Sequence, residues 1–92
     1  MTEQEKLYLM FVLGKFSKWF YAAHKNLGIE KTMDWLLRDD HIWIGIRGKS
    51  YKKEFMVSGD LFTGIADFVG DMMLKTMAEL DEIEKQRIEE DK

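Results

Sequence analysis

From His41 to Val57 the chain is written in a period of two. Ile42, Ile44 and Ile46 alternate with Trp43, Gly45 and Arg47, and after Gly48 and Lys49 a second run sets Tyr51, Phe55 and Val57 against Lys52, Glu54 and Met56. Successive strand residues point to opposite faces, so each run predicts a strand buried on one side, and the glycine between them predicts a hairpin. A two-residue type II′ turn over Gly48 and Lys49 gives the expected register: Ile46 opposite Tyr51, Ile44 opposite Lys53 and Ile42 opposite Phe55. Lys53 then sits on the core face with its stem free to snorkel outward.

The flanking segments follow a helical period instead. Thr2 and Glu5 have the spacing of a capping box, and Leu9, Val12, Leu13, Phe16, Phe20, Ala23 and Leu27 form one stripe that stops at Gly28, predicting a helix over 3–27. Tyr8, Met10, Phe11 and Trp19 lie off that stripe, so the helix is apolar around more of its circumference than one core requires. In residues 30–38, Met33, Leu36 and Leu37 have the spacing of a short second helix, broken by Asp39, Asp40 and His41. Ser58 or Asp60 can cap a last helix running from about residue 60 into the eighties, with Leu61, Ile65, Phe68, Met72, Leu80 and Ile83 as its stripe. Gly64 and Gly70 inside it suggest a close neighbour or a bend, and the acidic tail at about 86–92 opposes the helix dipole and should fray. The expected fold is α+β: a single domain over 1–92, helix, helix, β-hairpin, long helix (α-α-β-β-α), with the hairpin and both long helices sharing one core.

Composition removes several function classes. Ninety-two residues without a cysteine exclude a disulfide scaffold, thiol catalysis and a cysteine-based zinc site. With His24 and His41 as the only histidines, a three-histidine metal site needs a second chain, and a catalytic triad has few candidate bases. His24, near a helix C-terminus, is explained by its interaction with the dipole. No nucleophile, base and oxyanion donor can be named together, so the chain is read as a non-enzyme without a cofactor or metal. The acidic start, residues 1–5, does not resemble a secretory signal, and the most apolar run, residues 7–13, is too short to span a bilayer, which leads to a cytoplasmic expectation. Trp19, Phe20 and Tyr21 beside lysines leave an interfacial helix as a lesser alternative.

The net charge of −3 is unevenly spread. Residues 1–57 carry ten Lys/Arg against seven Asp/Glu, whereas residues 58–92 carry four against ten. Arg47, Lys49, Lys52 and Lys53 gather at the hairpin tip around Gly48, Ser50 and Tyr51, with Trp43 as a stacking surface nearby. Such a cluster suits an acidic protein patch or a phosphate backbone, although exposed lysines also keep a short sheet from pairing edge to edge. It is not a P-loop, because the earlier glycine is missing and a strand follows instead of a helix. Asp60, Asp67 and Asp71 share one face of the last helix and form an alternative acidic surface, or simply a solvated one.

The sequence therefore reads as a small non-enzymatic binding protein that regulates or inhibits another macromolecule. It has the compact style of phage or mobile-element inhibitors of host nucleic-acid-handling or defence proteins. Partner-binding is expected through Trp43, Arg47, Lys49, Tyr51, Lys52 and Lys53. The alternative is a binder of an anionic nucleotide or nucleic acid through the same basic hairpin. The broad apolar arcs of the two long helices further predict a homodimer.

Overall fold

A computed structural model describes residues 1–90 of the chain. Five elements follow one another: α1 (Glu3–Lys25), β1 (Lys31–Leu37), β2 (His41–Gly48), β3 (Lys52–Ser58) and α2 (Leu61–Glu90). The strands form one antiparallel sheet in the order β1-β2-β3, and the two helices pack on the same face of it. The expected α+β class is thus realised with one more strand and one fewer helix.

α1 starts and stops where its sequence signals stand. The Thr2 hydroxyl accepts from the Glu5 N–H at 3.1 Å while the Glu5 carboxylate accepts from the Thr2 N–H at 3.0 Å. At the other end Gly28 takes a left-handed φ of 74°, and the Ile29 N–H returns to the His24 carbonyl. Leu9, Leu13, Phe16 and Phe20 are buried from this helix. His24 joins them, so its place is set by the core and not by the helix dipole alone. It lies one helical turn beyond Phe20, packs tilted against that ring at 4.5 Å between centroids, and donates from Nδ1 to the Phe20 carbonyl at 2.7 Å. Its position on the core stripe outweighs its place near the helix end. Of Trp19, Phe20 and Tyr21, the residues behind the lesser alternative of an interfacial helix, Phe20 is buried, Trp19 half-buried and Tyr21 exposed. No helix among the described residues is long and apolar enough to cross a membrane.

The short helix expected over 30–38 is strand β1. Met33, Leu36 and Leu37 fit a helical period, but Met33, Trp35 and Leu37 also alternate, and pairing decides between the two. Seven residues of β1 match β2 from Lys31↔Gly48 to Leu37↔Ile42, which satisfies one backbone edge of β2 and sets Met33, Trp35 and Leu37 beside its isoleucines. Asp39 and Asp40 make the connecting turn, closed by the Arg38 N–H on the His41 carbonyl at 2.9 Å.

The second hairpin has the expected faces and a different register. Ile46 lies opposite Lys53, Ile44 opposite Phe55 and Ile42 opposite Val57, two residues from the expected pairing. A type II′ turn needs positive φ at its first central residue, and Gly48 does not adopt it: among the described residues only Gly28 and Gly59 do. Residues 48–51 form the connection instead, with the Gly48 N–H on the Tyr51 carbonyl at 2.8 Å. Because the slip is two residues, every side chain keeps its face. Ile42, Ile44 and Ile46 are the buried centre of the sheet.

α2 is capped by Asp60, whose carboxylate accepts from the Phe62 and Thr63 N–H groups and the Thr63 hydroxyl. It runs alongside α1 in the same direction: Tyr8 stacks with Phe62, Phe16 meets Phe68 edge-on, and Gly28 lies beside Arg87. Gly64 marks a close approach, since a Cβ there would stand 2.5 Å from Val57 Cγ1. Gly70 does not, because a Cβ would meet nothing within 4 Å. α2 is helical through Glu90, and the remainder of the acidic tail, residues 91–92, lies outside the described residues.

Candidate functional site

Two helices cover one face of the sheet and leave the other open. On that open face the register aligns Leu36, Trp43 and Met56 across the three strands. Leu36 and Met56 are exposed, Met56 at 62%, and Trp43 is half-buried. The cause of that burial is Gly45, two residues along the same strand face. A Cβ on Gly45 would lie 2.5 Å from Trp43 Cη2, so the absent side chain is what lets the indole lie down on the sheet. The next row is Asp34, Gly45 and Glu54, followed by Thr32, Arg47 and Lys52. Arg47 is ion-paired with Asp34, and Lys52 stands 4.0 Å from Glu54. A shallow recess of about 180 Å³ runs between the indole and these charges.

The six residues expected to bind a partner therefore do not form one surface. Trp43, Arg47 and Lys52 share the open sheet face, and Lys49 stands exposed at the turn. Lys53 projects from the opposite face with Nζ 5.2 Å from the Phe55 ring centroid, and the Tyr51 ring carries Lys31 Nζ at 4.5 Å. Two of the four clustered cations are thus partnered by carboxylates, Lys52 by Glu54 on its own strand face and Arg47 by Asp34 on β1, a strand that the alternation of 41–57 does not reveal. Leu36, Asp34 and Met56 complete the site and were not singled out in the sequence. Reading 30–38 as a strand supplies the signal for the first two, since Leu36 then falls opposite Trp43.

On the acidic side, Asp60 is committed to its cap, which holds its carboxyl below the usual range chiefly through the Thr63 hydroxyl and N–H. Asp67 and Asp71 are exposed on α2. Asp39 accepts from Lys6 Nζ at 2.7 Å, which lowers the aspartate and raises the lysine, and ties the β1-β2 turn to the start of α1. Glu5 is lowered by the capping box. Each of these displacements is explained by its own cap or ion pair. Among the described residues no three His, Asp or Glu side chains gather as a metal ion requires.

α1 presents a second uncovered surface. Leu7, Met10 and Phe11 recur at helical spacing on the side away from the sheet, with Leu7 63% and Phe11 62% exposed. Gly14 continues this line with open space above it. Set against protein-family models, curated proteins and solved structures, the chain gives no significant match in any of the three comparisons.

Proposed function

We propose that this chain is a small non-catalytic binding protein that regulates or inhibits another macromolecule, and that the partner is a protein seated on the open face of the sheet. The observation that carries the reading is the row of Leu36, Trp43 and Met56 with the indole laid over Gly45. A rigid aromatic within an apolar strip, rimmed by charges, is the composition of an interface hot spot. The rim favours a protein over a phosphate backbone, because Arg47 and Lys52 already face Asp34 and Glu54. Three strands of seven or eight residues make a face of roughly 15 by 20 Å, smaller than the ~800 Å² per partner of a standard interface. The partner must then reach past the sheet edge, and Lys49 at the turn is placed to meet it.

The test is capture from native lysate by the parent and by two variants side by side. Trp43→Ala should fold normally and lose the partner by at least about tenfold, a loss of ~1.4 kcal/mol or more. Binding that survives Trp43→Ala but fails in a Lys49→Glu, Lys52→Glu double variant would instead support the basic hairpin and an anionic partner.

A homodimer through α1 and a cytoplasmic location belong to the same proposal. The apolar line of Leu7, Met10 and Phe11 beside Gly14 suits a second helix at close range, and light scattering decides it: twice the 10.9 kDa chain mass supports the dimer, and the single mass at about 100 µM rejects it.

A further inference from the structure

On the helix side of the sheet, the residues of the hairpin that the open face does not use converge with others from distant parts of the chain. We infer that the cleft between β3 and α2 binds a phosphate group, with Lys31, Lys53 and Lys75 as its cationic walls and the Tyr51 and Thr76 hydroxyls as neutral donors. The cleft measures about 150 Å³ and draws those five residues from β1, the β2-β3 connection, β3 and α2. Its one carboxylate is Glu79.

Charge and burial together point to an anion. Three ammonium groups around one carboxylate leave an excess of two positive charges in a recess whose floor is Phe20 and Ile46. Lys53 and Lys75 are exposed and screened by water, so the unrelieved charge is concentrated at the enclosed Lys31. Lys31 is the most enclosed: its side chain is only 16% exposed, and Nζ stands 3.8 Å from Glu79 and 4.5 Å from the Tyr51 centroid. A carboxylate at that distance and a ring face leave the ammonium short of close acceptors. A tetrahedral oxyanion supplies several acceptor oxygens at once and neutralises the excess charge.

The volume is well below the ~300–1,000 Å³ of pockets that enclose a drug-sized ligand, which suits a small anion. A second recess of about 530 Å³ shares Lys31 and Tyr51 and continues along Gly28 to Lys31, so a phosphate ester has room for its remaining atoms. The inference is independent of the protein partner proposed above, which uses the opposite sheet face.

Amide NMR spectra of the full chain, titrated with inorganic phosphate at constant ionic strength, test it. Saturable shifts at Tyr51, Lys53 and Thr76 are expected. Lys75→Met, on an exposed helix position, should weaken binding at least about tenfold, as should Lys31→Met if it folds, while Lys18→Met, an equal change of charge on the far side of α1, should not. A parallel titration with adenosine monophosphate separates the two sources of the anion. Tighter binding with added shifts at residues 28–31 assigns an ester, and tighter binding of inorganic phosphate assigns the free ion. Shifts that never saturate, or that Lys18→Met reduces as much as Lys75→Met, overturn the inference.

Discussion

Ile44 and Trp43 are neighbours on β2, yet Ile44 is 0% exposed under the helices while Trp43 lies on the open side with a glycine beneath it. The strand alternation is the same for both. What differs is the supply of covering layers: α1 and the first half of α2 are enough for one face of a three-stranded sheet, and nothing remains for the other. The inner face is held by aliphatic packing, which tolerates neither charge nor added volume. The outer face is kept wettable by the Arg47 and Lys52 ion pairs, and its largest apolar side chain, Trp43, lies flat over Gly45 between Leu36 and Met56. One face thus carries stability and the other is left uncovered, although both come from a single eight-residue strand.

The contrast can be broken most sharply at Ile44. Ile44→Asp places an unpaired carboxylate in the core and should cost more than about 4 kcal/mol, a large share of the ~5–15 kcal/mol that holds such a domain together. Loss of the circular dichroism spectrum at room temperature is the expected result. An unchanged melting temperature would show that the inner face is not the stabilising one.

Two glycines of α2 sharpen the comparison at the next level. Gly64→Ala gains about 1 kcal/mol of helix propensity but drives a methyl into Val57, and overpacking of ~1–3 kcal/mol should leave the variant less stable. Val57→Ala in the same chain should recover part of that loss in a double-mutant cycle. Gly70→Ala, with open space around it, should raise stability by up to about 1 kcal/mol. Equal effects at both positions in urea melts would contradict the close approach of α2 to β3.

On the outer face, Gly45→Ala should lift the indole from the sheet with little change in Tm. A red shift of tryptophan emission beyond that of the parent checks it, and Trp43→Ala should abolish the difference. The smallest effect is expected at Asp60. Its carboxyl is held below the ordinary 3.8, so its contribution to stability is complete above that value and is lost as pH falls through the lower folded value. Asp60→Asn should remove this part of the acid dependence while keeping an N-cap.

Much of this architecture is written locally. The Thr2 and Glu5 box, Gly28 at the close of α1, the Asp60 cap and the inward set of Ile42, Ile44 and Ile46 each depend on residues within a few positions of one another, so their spacing in the chain is enough to place them. Residues 30–38 are different, because helical and strand periods both fit Met33 to Leu37 and only a partner edge on β2 distinguishes them. The hairpin register likewise turned on the φ of Gly48, a choice between turns that the residue type permits either way.

The candidate sites were legible only in fragments. Trp43 and the cations at the hairpin stand out by type, but which of them act together depends on strand pairing and on the helix that lies above. Asp34 reaches Arg47 across thirteen positions, and Lys75 and Lys53 line one cleft between α2 and β3. The sequence by itself determined the caps of the two long helices and the faces of β2 and β3, since these follow from short-range sterics, capping and alternation. Only the tertiary structure decided that β1 is a strand, that His24 belongs to the core, and that one basic cluster is divided between two faces, because each depends on surfaces that meet only when distant segments pack.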